Sequence, residues 1–193
     1  MNAHNLLRRF EDLRRLDGAA ATIAGVVRKA LRKPGTDDVL RGRWLGHPLH
    51  PLMVTVPIGA FVSTAVLDLT PGNRDAARKL TALGLAATAP TALLGLADYA
   101  ELDERQRRVG VVHAALNTVA AALFTGSYLS RVRGAHTRGR ALNALGLTVL
   151  SAGGALGGHL SYAQGAGVFR WQKPGTSQAV TTPRPAAADP VGS

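Results

Sequence analysis

Four stretches of the chain contain no Asp, Glu, Lys or Arg: Trp44 to Leu67, Leu80 to Ala97, Val109 to Ser130 and Ala141 to Phe169. Their lengths are 24, 18, 22 and 29 residues. A bilayer's hydrocarbon core is about 30 Å thick and needs roughly 20 residues of helix to cross it. Helices buried in a soluble bundle would repeat a charged outer face every three or four residues, and none of these stretches does. The pattern therefore predicts an all-α integral membrane protein. It would be a four-transmembrane-helix bundle over residues 44–169, with helices at about 51–69, 80–99, 109–130 and 141–162. Pro57 and Pro90 fall inside two of the runs. Membrane helices tolerate proline where neighbouring helices or hydroxyls, here Thr55, Thr88 and Thr91, can satisfy the freed backbone groups. The pairs Gly153/Gly157 and Gly154/Gly158 permit close helix packing on the last span.

Composition agrees once the charges are located. Hydrophobic residues make up 46% and aromatics 5%, a mixture rich in Ala, Leu, Gly and Val that suits closely packed membrane helices. A mean hydropathy of only +0.07 reflects charge gathered outside the spans. Residues 1–43 hold ten of the 23 Lys and Arg against five acidic residues. Leu6, Phe10, Leu13, Leu16, Ile23, Val27 and Leu31 recur there at helical spacing among the basic positions. This reads as a basic amphipathic segment lying on an anionic leaflet. A nucleic-acid arm is the competing reading, and no binding motif accompanies it. The segment also lacks a signal-peptide pattern. The Pro-, Thr- and Ala-rich tail, 170–193, reads as disordered.

An even number of spans returns both termini to one side. Sixteen Lys and Arg fall on that side and seven on the other, so the positive-inside rule expects both termini in the cytoplasm of a bacterial plasma membrane.

Helix direction then places the histidines. His47 and His50 stand at the start of the first span, His113 a turn into the third and His159 near the end of the fourth, all at the terminus-bearing face. Asp98, at the end of the second span, arrives there too. Asn117 projects from the same side of its helix as His113. His4 and His136 do not join the group. Ionisable groups in spans are costly and mark interior sites, and neutral imidazole is a common ligand for haem iron, zinc and copper. Pro48 holds His47 extended, whereas Pro51 suits a first helical turn and leaves His50 at the helix start.

The stretches "GHPLHPLMVTVPIGAFVSTAVLDL", "LLGLADYAELD", "RVGVVHAALN" and "LGGHLSYAQGAGV" together resemble the bacterial membrane proteins of the domain of unknown function 2231 family, over about residues 44 to 169. The resemblance implies a compact four-helix membrane domain with histidines at matching places, similar to the bis-histidine arrangement of small b-type cytochromes. Some relatives carry a Rieske segment after the helices. This chain has no cysteine, so it can supply neither that cluster nor a c-type haem attachment in cis.

Three functions compete. In the first, one haem b is ligated by His113 with His50 or His159, with His47 at the rim and Asp98 and Asn117 behind the ligands. Ala114, Ala115, Gly157 and Gly158 would leave room for the macrocycle, and electrons would pass to a Rieske-type or other redox partner. In the second, His47, His50, His113 and His159 bind bare zinc or copper, with Asp98 assisting. In the third, the domain is a non-catalytic membrane scaffold or anchor. No nucleophile elbow, phosphate loop or zinc-protease motif supports catalysis.

Overall fold

The structure is a computed structural model that describes residues 3–31 and 35–167. The expected disordered tail lies outside the described residues. Within them the chain is all-helical. A terminal segment contains α1 (Ala3–Arg8), α2 (Asp17–Ala30) and α3 (Thr36–Leu40). A short helix, α4 (Leu49–Met53), then leads into four long elements: α5 (Thr55–Asp68), α6 (Arg74–Tyr99), α7 (Glu104–Val132) and α8 (His136–Gly158). A π-helical turn, His159–Ala163, extends α8. All four spans, with α4 counted into the first, are long and apolar enough to cross a membrane.

Burial has the polarity that lipid demands. Val56, Val62, Val66, Leu83, Leu93, Val119, Leu129 and Leu145 face outward, while Thr64, Thr81, Ser127 and Asn143 are fully buried. In water that distribution would leave a large apolar surface exposed. In a bilayer it places hydrocarbon against hydrocarbon and small or polar residues at the helix contacts. Pro57 cannot donate to the Met53 carbonyl one turn back, and the Thr91 hydroxyl, which donates to the Ala87 carbonyl of its own helix at 2.7 Å, also approaches the Met53 carbonyl from α6 at 3.4 Å. Where α7 begins, Asp103 and Gln106 form a reciprocal capping box.

The long helices form two hairpins, α5–α6 and α7–α8, that repeat one another. Phe61 and Phe124 stack with ring centroids 3.6 Å apart and planes 6° from parallel. Each ring lies on a glycine of its own hairpin, Gly84 and Gly146 respectively. Three residues on, the Thr64 hydroxyl, which donates to the Ala60 carbonyl at 2.9 Å, lies 3.5 Å from the Ala77 carbonyl, and Ser127 Oγ donates to the Gly139 carbonyl at 2.7 Å. A turn further, Asp68 meets Arg131 across the two copies. These pairs are related by a constant 63-residue step in the first helices and a 62-residue step in the second. "LTALGL" at 80–85 and "LNALGL" at 142–147 keep the same register. Because α5 and α7 run in the same direction, this is a parallel repeat, with its pseudo-twofold axis along the bundle.

The terminal segment docks on the end of the bundle where α6 finishes and α7 starts. Ala20 and Ala24 are buried, and Tyr99 Oη donates to the Ala20 carbonyl at 3.2 Å. Leu7 and Phe10 pack against Val109, Leu156 and Leu160. Arg108 donates to both Asp17 carboxylate oxygens and to the Glu11 carbonyl, and Arg41 pairs with Asp37 and Glu101. Arg8, Arg14, Arg15, Arg28 and Lys29 stay exposed. The hydrogen bonds from Arg108 hold the Asp17 carboxyl below its ordinary value of 3.8. A depressed carboxylate contributes stability that is complete above the ordinary value and is lost as pH falls through the folded one. Limited proteolysis of residues 3–31 is therefore expected to be constant from neutral pH down to about 4 and to accelerate below it. Asp17→Asn is expected to abolish that acid-dependent step.

Candidate functional site: two matched imidazoles

The terminus-bearing end of the bundle holds His50, His113 and His159, but their surroundings differ. His50 lies on α4, and its Nδ1 is 3.0 Å from the Thr91 carbonyl of α6. His113 lies on α7, and its Nδ1 is 2.8 Å from the Gly153 carbonyl of α8. A carbonyl oxygen only accepts, so Nδ1 carries the proton in both rings and Nε2 keeps its lone pair. One turn along from each carbonyl sits a glycine against which the ring rests. A Cβ on Gly95 would lie 2.9 Å from His50 Cε1, and one on Gly157 would lie 2.9 Å from His113 Cε1. The triplets His50, Thr91, Gly95 and His113, Gly153, Gly157 are equivalent under the internal repeat.

The copies differ at one point. Asn117 Nδ2 donates to His113 Nε2 at 3.0 Å, where the first hairpin has Val54. The Asn117 amide oxygen is buried beside Gly153 without a hydrogen-bond partner. Such an orphaned acceptor is costly in a membrane interior.

His159 is drawn elsewhere. It is buried, and its Nε2 donates to the Glu11 carboxylate of the terminal segment at 2.7 Å. Its place in the repeat is filled by Ala97 in the first copy, also buried. His47 is exposed, with Nδ1 turned to the adjacent Pro48 carbonyl. Asp98 is half-buried at the end of α6. A bare zinc or copper ion would need three or more ligands at one point, and among the described residues no such group of His, Cys, Asp or Glu is assembled. Of the small residues expected to leave room for a macrocycle, Gly157 abuts the His113 ring. Ala114 and Ala115 are exposed, and Gly158 has no neighbour within 4 Å of an added Cβ.

The Thr91 and Gly153 carbonyls are not legible in the sequence, since backbone acceptors have no residue signature. Gly95 is legible only through the repeat, as the counterpart of Gly157.

No curated protein and no solved structure matches the chain. A family model described as a predicted membrane protein matches residues 46–170, and so covers both hairpins and both imidazoles. By that match the chain belongs to the predicted membrane protein family DUF2231.

Proposed function

We propose that the domain is a b-type-cytochrome-like electron-transfer protein of the membrane, holding one haem b between His50 and His113. The observation that carries this reading is the matched pair of imidazoles. Each comes from a different hairpin, each is held in the Nδ1–H tautomer by a backbone carbonyl, and each leaves Nε2 as the candidate metal-binding nitrogen, although that of His113 accepts a hydrogen bond from Asn117. Outer hydrogen bonds of this kind orient a ligating histidine and raise its basicity. When bound, the haem would supply one-electron chemistry. His50 and His113 would hold the iron through Nε2, and the Thr91 and Gly153 carbonyls would hold their rings against rotation. Gly95 and Gly157 provide the flat backbone surface each ring needs. The docked terminal segment would limit water entry from the end. Asn117 would release His113 Nε2 on loading. These 193 residues contain no cysteine and so hold no Rieske cluster themselves, and electrons would pass to a Rieske-type or other redox partner.

The Asn117 bond supports a second reading, in which the polar group only ties helices together and the domain is a scaffold. Titration of the detergent-purified full chain with haemin separates the two. The cytochrome reading expects a one-to-one end point for wild type, for His47→Ala and for His159→Ala. Affinity should fall at least about tenfold in His50→Ala and in His113→Ala. A wild-type chain that takes up no haem, or one that binds equally well without His50 and His113, supports the scaffold.

A further inference from the structure

At the opposite end of the bundle the turns of the two hairpins and the ends of the helices form a basic face. Arg74, Arg78, Lys79, Arg131, Arg133, Arg138 and Arg140 stand there with Asp68 and Asp75. A cavity of about 220 Å³ opens between the start of α6, the end of α7 and the start of α8, lined by Arg74, Asp75, Arg78, Arg131, Val132 and His136. Its acids are already engaged. Asp75 pairs with Arg78 and Lys79 on its own helix at 2.6 and 2.7 Å, and Arg131 is held by Asp68. Arg74 has no carboxylate partner among the described residues. His136 lines the same cavity with its Nδ1 buried and without a hydrogen-bond partner.

Two helix N-termini meet at this cavity, and neither is capped by a side chain. Asn73 precedes α6 but spends its amide on Thr70 Oγ1 at 2.7 Å. The first turn of α8 contains no acid and reads His136, Thr137, Arg138. Basic residues beside the positive end of a helix dipole are unfavourable unless an anion offsets them. The volume holds a phosphate group with several waters at about 30 Å³ each. Arg74 and Arg78 spring from the first turns of a span, where long side chains reach the headgroup layer.

We propose that this cavity binds a phosphate-class anion, with Arg74 and His136 as its principal donors and the uncapped starts of α6 and α8 facing it. The phosphate could belong to a free ion or to an anionic lipid headgroup. Calorimetric titration of the detergent-purified full chain in phosphate-free buffer tests this. One arm uses inorganic phosphate and a second uses short-chain phosphatidylglycerol. Phosphatidylcholine of the same chain length reports what the acyl chains alone contribute.

Saturable binding of phosphate assigns the site to a free anion. Binding of phosphatidylglycerol without inorganic phosphate assigns it to a headgroup. In either case affinity is expected to fall about tenfold or more in Arg74→Gln/His136→Gln, and to be unchanged in Arg133→Gln, whose residue does not line the cavity. Circular dichroism confirms that helix content is kept, and Arg74→Gln alone serves if the double variant loses it. Absence of saturable binding in both arms, phosphatidylcholine binding as well as phosphatidylglycerol, or equal affinity in wild type and variant would overturn the proposal.

Discussion

Asp68→Ala is expected to destabilise the folded bundle by about 3–5 kcal/mol, because it leaves a buried guanidinium without its counter-charge. Arg131 is 1% exposed and Asp68 9%. Two parallel hydrogen bonds of 2.8 and 2.5 Å join them, and Arg131 Nε reaches Ser127 Oγ at 3.2 Å. Arg140 approaches Asp68 at 3.7 Å and cannot replace it, since it carries the same sign as Arg131. The pair joins equivalent positions of the repeat, so two identical copies would have put like charges against each other on the axis. Divergence here stabilises the present arrangement of the hairpins. Replacing both residues, as Asp68→Leu/Arg131→Leu, is expected to recover most of the loss, because desolvation of the ion pair disappears with it. Unfolding of purified protein by denaturing detergent measures both. A single variant as stable as wild type would contradict the assignment of this pair as a structural tie.

Gly95→Ala and Gly157→Ala are expected to displace His50 and His113 respectively. In each case the added carbon meets the ring at 2.9 Å, inside van der Waals contact, and the ring can yield only by leaving its carbonyl. Overpacking of this kind costs about 1–3 kcal/mol. Loss of the orienting hydrogen bond is expected to weaken haem uptake about 10–100-fold. Gly154→Ala and Gly158→Ala, on the same helix as Gly157, meet nothing within 4 Å and should leave both quantities unchanged. Haemin titration of the four variants side by side provides the check. If all four behave alike, ring position is not what the glycines control.

The spans were legible because lipid imposes a pattern that soluble packing does not, and uninterrupted apolar runs survive any detail of side-chain contact. That a hydroxyl could serve the groups freed by Pro57 and Pro90 was legible, but the approach of Thr91 in the second span to the Met53 carbonyl was not, because Thr55, Thr88 and Thr91 were equivalent candidates. The duplication was present in "LTALGL" and "LNALGL" but hidden by the unequal turns. From Asp68 to Ala77 the first hairpin takes nine residues, and from Arg131 to Gly139 the second takes eight, which changes the step from 63 to 62 midway. Helix direction brings His159 to the correct end and makes it a ligand candidate in the sequence. Its partner Glu11 lies 148 residues away, in a segment whose basic amphipathic pattern suggested lipid and gave no sign of docking. Local spacing carries no information about such a contact. The same limit applies to Arg108, whose partners Asp17 and Glu11 close the terminal segment over the bundle.

The central claim is that His50 and His113 form one matched ligand pair, and the visible spectrum of the haem-supplied full chain before and after dithionite tests it most directly. Two imidazoles on one iron predict a low-spin species with a sharpened Soret band and resolved reduced α and β bands. His50→Ala and His113→Ala should each convert it to a high-spin form or lose the haem. A wild-type spectrum of free or high-spin haem, or a low-spin spectrum that survives loss of either histidine, would contradict the claim.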